Sequence, residues 1–247
     1  MTILPGDPPL KGIRVLDLSR VLAGPYCSMT LSDLGAEIIK VEIPGRGDDT
    51  RGFPPFLEGE SSYYLSLNRG KKSLTLNLKD EKGVEVLHRL VEKCDIVLEN
   101  FRPGVTKRLG VDYEALKGIK EDLIYCSISS YGQTGPYATW PGYDLIIQGM
   151  SGLMGITGEK ERPPVRVGVA VTDLNAGMYA TMAILSALRV RDQRGIGQYL
   201  DVSMMDAAVS WLTYMAGGYF ASGKVPERMG GAHPSIVPYQ TFEAGDG

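Results

Sequence analysis

The sequence predicts an α/β fold in which a parallel sheet is covered by helices on both faces. Three observations lead there. Short apolar runs of the buried-strand kind recur at residues 13–18 (IRVLDL), 37–42 (EIIKVE) and 123–128 (LIYCSI). Segments of helical periodicity fall between them, and the strand-to-strand spacing leaves room for a crossover helix. The chain has 247 residues and 43% hydrophobic content, enough for a sizeable core.

Taken in order, the Pro-rich leader gives way to the strand at 13–18, a helix at 24–34 and the strand at 37–42, which together form a βαβ unit. Residues 44–55, dense in Gly, Pro and charge, read as a surface loop. A strand is expected at 73–78. The helix at 81–93 places Val84, Leu87, Leu90 and Val91 on one side, and a strand follows at 96–98. Short helices are expected after Pro103 and Asp112, before the strand at 123–128. Residues 130–142 (SYGQTGPYATWPG) form a long connection of the kind that carries function. Beyond it we expect helices at 143–154 and 173–191, a strand at 198–202 and a helix at 205–220. The apolar stretch 176–188 is short of the roughly 18 residues a bilayer span needs and ends in Arg189 and Arg191, so it reads as a buried helix. The tail 222–247 lacks periodicity and closes on EAGDG, a turn signal, so the chain is expected to stop inside a structural unit.

A net charge of -3 argues against non-specific nucleic-acid binding, which requires a concentrated basic surface. Cys27, Cys94 and Cys126 are odd in number and far apart, which suggests neither disulfides nor a zinc cluster and fits a reducing cytoplasm. The first residues lack the pattern of a signal peptide. After the first strand, Ser19 to Pro25 contains no G-x-G-x-x-G, which disfavours a nicotinamide or flavin dinucleotide. With only His88 and His233, a Ser-His-Asp triad or a histidine metal site has little material. His88 reads as a helix-surface or boundary residue.

Six strings in sequence then stand out: LAGPYC (22–27), LGAEIIKVE (34–42), ENFRPG (99–104), SYGQTGPY (130–137), VTDLNAG (171–177) and HPSIVPYQTF (233–242). Together they resemble the family III (CaiB/BaiF) CoA-transferases, in that family's own order. The resemblance implies a Rossmann-like large domain over residues 1–200, a linker helix over 201–225 and the truncated start of a small domain over 226–247. It also implies an interlocked dimer, either a homodimer or a pairing with a homologous subunit. No permanently bound cofactor or metal is implied; coenzyme A and acyl-CoA are substrates.

By the same resemblance Asp173 is the catalytic carboxylate, attacking a thioester and holding the acyl group as a mixed anhydride. Its place at a helix start is expected to favour the ionised form; the plainer reading makes it an N-cap, and both roles can coexist. The family's nucleotide contacts fall on Val21, Ala23, Leu76, Lys79, Asn100, Phe101 and Arg108. Lys79, in the strand LTLNLK, and Arg108 would meet phosphates, although both also read as solvated helix-end charges, and Leu76 and Phe101 as core. Leu22 stands where some formyl-CoA-type members carry Gln, which counts against a formyl or oxalyl substrate.

Relatives of the α-methylacyl-CoA racemase kind use a His in a GHD triplet as second acid/base. Here the triplet is Gly142-Tyr143-Asp144. Tyr143, with an ordinary pKa near 10, is expected to hydrogen-bond near the acyl group or to sit as a buried tyrosine at a helix start. A CoA-transferase is therefore the expected activity, with a racemase and a non-catalytic CoA-binding subunit as the alternatives.

Overall fold

The computed structural model describes residues 6–245. The last two letters of the EAGDG turn lie outside them. Eight strands and ten α-helices follow one another among these residues. The elements that build the sheet are β1 (Arg14–Asp17), α1 (Ala23–Asp33), β2 (Glu37–Glu42), then a small hairpin of β3 (Phe56–Leu57) and β4 (Glu60–Ser61), α2 (Ser62–Asn68) and β5 (Lys71–Thr75). Next come α3 (Glu81–Val91), β6 (Ile96–Glu99), α4 (Val105–Leu109), α5 (Tyr113–Lys117) and β7 (Ile124–Ser129). The rest comprises α6 (Asp144–Met150), α7 (Leu153–Ile156), α8 (Val171–Arg194), β8 (Gln198–Ser203), α9 (Met204–Ser210) and α10 (Thr213–Ser222).

Six strands form one sheet in the order β5-β2-β1-β6-β7-β8, every neighbouring pair parallel. Numbered along the chain within that sheet, this is the 3-2-1-4-5-6 order of doubly wound nucleotide-binding folds. Alternation along each strand makes two cores. Val15, Ile96, Leu98, Ile124 and Cys126 face α1 and α8, while Leu16, Val97 and Tyr125 face the layer of Leu87, Val91 and Leu116 from α3 and α5. All three cysteines are buried and free.

Several expectations move. The strand expected at 73–78 is β5 at Lys71–Thr75, paired with Ile38 to Glu42, so Leu76 and Lys79 lie beyond its C-terminal end rather than within it. The expected surface loop is followed by the β3–β4 hairpin and α2, whose start is capped by Ser61 accepting from the Tyr64 N–H at 3.3 Å. The helix expected at 143–154 is broken into α6 and α7 at Gly152, whose φ of +93° no helix continues through. The helix at 205–220 breaks likewise into α9 and α10. Within α8, Ala176, Ala180 and Ile184 are buried, but Met178, Met182 and Leu185 are exposed, so that helix is buried on one side only. No helix is long and apolar enough to cross a membrane.

Candidate active site

The topological switch point lies between β1 and β6, where crossovers leave in opposite directions and α/β folds seat ligands beyond the strands' carboxyl ends. Two loops meet there, residues 18–22 after β1 and 100–104 after β6. Asn100 clamps them: its Oδ1 accepts from the Arg20 N–H and its Nδ2 donates to the Arg20 carbonyl, both at 2.8 Å. Glu99 Oε2 accepts the Phe101 N–H at 2.7 Å, fixing the turn that follows.

Val21 occupies the left-handed region at φ +66°, which costs a β-branched residue about 1–2 kcal/mol. Part of that is returned by its N–H, which donates to the Asp48 carboxylate at 3.3 Å. Asp48 is itself buried against Lys40 at 2.9 Å and accepts the Thr50 N–H and hydroxyl. A strained loop thus rests on a buried charge pair, a pattern that clusters at functional sites.

Asp173 sits in the first turn of α8, as its third residue. It is therefore not the N-cap of that helix: the capping position is Ala170, which makes no side-chain cap bond. The helix starts two residues earlier than expected because its cap comes from another element. Asp144 Oδ1 accepts both the backbone N–H and the hydroxyl of Thr172 at 2.9 Å, while Gln148 Nε2 donates to Asp144 Oδ2 at 2.6 Å.

Burial and the nearby charge of Asp144 push the Asp173 carboxyl up to about 7, against the pull of the Ala23 N–H facing it. The expectation that the helix start would favour the ionised form is thus corrected: lost hydration and a like charge outweigh the backbone dipoles. The close approach of α8 to α1 depends on Gly177, where an added Cβ would come within 2.7 Å of the Ala23 carbonyl oxygen. Ala23 is 2% exposed and meets Asp173 through its backbone N–H.

Tyr63 on α2 belongs to the same field. Burial first, then the charges of Asp173, Asp48 and Asp144, push its phenol up to about 12. Sequence reasoning missed Tyr63 because α2 itself went unseen; the Ser61-Ser62 pair ahead of an apolar run was the available signal.

Two cavities flank Phe101. The outer, of about 460 Å³, is lined by Leu76, Lys79, Phe101 and Arg108, four of the seven expected nucleotide positions. The inner, of about 190 Å³, is lined by Asn100, Phe101 and Tyr143, and by Ser129, whose buried hydroxyl has no partner among the described residues. Leu76 and Phe101 also pack against the core below, so core and cavity roles coincide. Neither Lys79 nor Arg108 pairs with a carboxylate among the described residues, as a cation reserved for an anionic ligand would not. Tyr143 is 76% exposed, which overturns the buried-tyrosine reading. Val21, Ala23 and Asp173 line neither cavity. Their link to it is through the backbone: Val21 and Ala23 continue from Arg20, and Asp144, beside Tyr143, caps the helix that carries Asp173. His88 lies at the boundary, its Nε2 2.9 Å from the Gly110 carbonyl oxygen.

A family-wide sequence profile described as CoA-transferase family III matches residues 10–247. The succinyl-CoA:glutarate CoA-transferase of Mus musculus is 50% identical over 97% of this chain and 55% of its own length. The acetyl-CoA:oxalate CoA-transferase of Acetobacter aceti is 46% identical over 96% of this chain and 61% of its own. Among solved structures, a CAIB/BAIF family protein from Brucella suis superposes with a TM-score of 0.92 at 48% identity, over 98% of this chain and 65% of that one. This chain thus spans between half and two thirds of the length of these relatives. A profile matching nearly the whole chain, on a fold shared with a CAIB/BAIF protein, places the chain in CoA-transferase family III.

Proposed function

We propose that the chain is the large-domain part of a CoA-transferase that moves CoA between an acyl-CoA and a free carboxylic acid, with Asp173 as the covalent carrier. The observation that carries this reading is the convergence of two separate segments, one bringing Leu76 and Lys79 and the other Phe101 and Arg108, on one cavity of nucleotide size beside the switch point. Asp173, with a carboxyl near 7, is ionised in half the molecules at neutral pH and is desolvated enough to attack.

The Asp173 carboxylate adds to the thioester carbonyl, the C–S bond breaks and the thiolate leaves, giving an acyl-aspartyl anhydride. The thiolate then attacks the aspartyl carbonyl and expels the donor acid, leaving CoA on Asp173 as a thioester. An acceptor carboxylate runs the same two steps backwards. The Ala23 N–H facing Asp173 is placed to receive charge on the aspartyl oxygen.

Relatives named for succinyl, glutarate, oxalate and mesaconate substrates support short dicarboxylic acids as the substrate class. The exposed apolar side chains Met178, Met182 and Leu185 on α8, and Phe220 on α10, support a cover over that face, either the small domain or the second chain of an interlocked homodimer or homologous pair. A cytoplasmic setting, with no resident cofactor and no nucleic-acid or membrane partner, belongs to the same reading.

Incubation with succinyl-CoA or acetyl-CoA and free glutarate tests it. CoA exchange without deuterium uptake at the α-carbon, together with a hydroxylamine-trappable group on Asp173 seen by mass spectrometry, is the expected result. Deuterium uptake without exchange points to a racemase, and neither activity with intact CoA binding points to a binding subunit.

A further inference from the structure

Asp144 serves Asp173 twice: it caps the helix that carries it, and it sets a negative charge beside it. Both effects depend on how its two oxygens are held. Oδ1 accepts the Thr172 N–H and hydroxyl, each at 2.9 Å, and Thr172 is the residue before Asp173. Oδ2 accepts from Gln148 Nε2 at 2.6 Å. The terminal torsion of an aspartate is broad and two-fold on its own. A fixed donor on Oδ2 is therefore what keeps Oδ1 turned to the start of α8.

Gln148 is itself 0% exposed and lines neither cavity. It lies one turn along α6 from Asp144, and its amide is used at both ends: Nε2 on Asp144, and Oε1 accepting the Val167 N–H at 2.8 Å. The two ends cannot be exchanged, because a carboxylate only accepts and a backbone N–H only donates. Val167 belongs to the irregular stretch between α7 and α8. Among the described residues, its bond to Gln148 is the one hydrogen bond that ties residues 163–170 to an element other than α8. One buried side chain thus holds both the cap of α8 and the chain leading into it.

Resting on the reading of Asp173 as the acyl carrier, we infer that Gln148 is a positioning residue of the reaction, locking the Asp144 carboxylate onto the first turn of α8 and so fixing Asp173. It acts without touching the reacting atoms. The carrier carboxyl is faced by Asp144 from α6, by Tyr63 from α2 and by the Ala23 N–H from α1. Of these, Asp144 supplies the like charge that, after burial, pushes the carboxyl up. That push weakens with distance and with access of water. Freeing Oδ2 lets the Asp144 carboxylate turn away, which relaxes both the helix start and the field on Asp173.

CoA exchange by the full chain, followed as a function of pH, tests this on Gln148→Met, on Gln148→Glu, and on Gln148→Met combined with Asp144→Asn. Gln148→Met keeps the volume and loses both bonds. Its rise of kcat/KM should move to lower pH by about one unit, with kcat on the plateau down about tenfold and KM near wild type. Gln148→Glu keeps the acceptor for Val167 but sets a second carboxyl against Asp144, so its rise should move to higher pH. It carries the test if melting curves show that Gln148→Met fails to fold. With Asp144→Asn in place, Gln148→Met should not move the rise again, because the charge it steers is gone. A rise left at the wild-type pH in either folded variant overturns the assignment, since activity and melting temperature falling without a shift mark a packing role alone. A shift of Gln148→Met that persists in the Asp144→Asn background overturns it too. A wild-type chain that exchanges no CoA overturns the proposed function, and this inference with it.

Discussion

Replacing Asp173 with asparagine is expected to abolish CoA exchange and, at neutral pH, to stabilise the fold. The folded site raises this carboxyl from its ordinary 3.8 to about 7, so the native state binds the proton more tightly than the unfolded chain does. Its contribution to stability is complete below about pH 3.8 and is lost as the pH rises through about 7. Asparagine stays neutral throughout. The gap between variant and wild type thus starts at about 1.5 kcal/mol at pH 5 and reaches about 4 kcal/mol at pH 8, at about 1.4 kcal/mol for each pH step up to the folded value. Both figures are ceilings, because water reaches this half-buried carboxyl and screens it. A widening of about 1–2 kcal/mol between pH 5 and pH 8, or a melting temperature several degrees higher at pH 8, is the expected outcome. Urea unfolding of both proteins across that range measures it. A gap that does not change with pH, or a variant weaker than wild type at pH 8, would refute the desolvated-nucleophile argument.

Wild-type exchange, followed as kcat/KM, should climb with pH and level off above about 7, as the attacking carboxylate is formed. Asp144→Asn, which removes the second cause of the raised value, should move that rise to lower pH. Gly177→Ala sets a methyl 2.7 Å from the Ala23 carbonyl oxygen and should cost about 1–3 kcal/mol while lowering exchange, since it pushes Asp173 away from the N–H it faces; calorimetric melting reads the first and the exchange assay the second. Lys40→Met strands the buried Asp48 carboxylate and should cost about 3–5 kcal/mol in urea unfolding; the double variant Lys40→Met, Asp48→Leu should recover most of it. Arg108→Gln should raise KM and leave kcat near wild type, because a phosphate contact far from the chemistry serves substrate and transition state alike.

The sheet was legible because its strands are buried on both faces and so read as continuous apolar runs, separated by crossovers of helical length. Where the sequence misled, a distant partner decided the outcome. The LTLNL alternation continues past β5, yet the paired register with β2 runs only from Lys71 to Thr75, and a last bond from the Leu76 N–H to the Glu42 carbonyl at 2.9 Å ends the ladder; Leu76 and Leu78 keep their apolar contacts at the cavity edge. Helix α8 starts at Val171 because its cap is Asp144, 28 residues away. A local search for a capping residue settles instead on Asp173. The hairpin and α2 were hidden by a Gly- and Pro-rich approach that reads as loop, and Tyr63 was hidden with them.

The same logic explains why the β1–α1 crossover can carry a strained valine. Val21 is held from one side by Asp48, whose charge is balanced by Lys40 from β2, and its neighbour Arg20 is held from the other by Asn100. Below it, Asp17 accepts from the Ser19 and Ser28 hydroxyls and faces Lys71 at 3.4 Å, and burial pulls that lysine down to about 8. None of these partners is next to another in sequence. Each buried charge would cost several kcal/mol alone; paired, they confine the loop to one conformation. That loop presents a backbone N–H to Asp173 at one end and a guanidinium to the outer cavity at the other. On the proposed function, the distance between the nucleotide cavity and the carrier carboxylate is set by this stretch of backbone, so loosening Asn100 should reduce exchange even where Asp173 and the cations of the cavity are intact. Asn100→Ala, with CoA affinity falling less than kcat, is the result that this coupling requires; a loss of CoA affinity with kcat unchanged would show that the clamp serves binding alone.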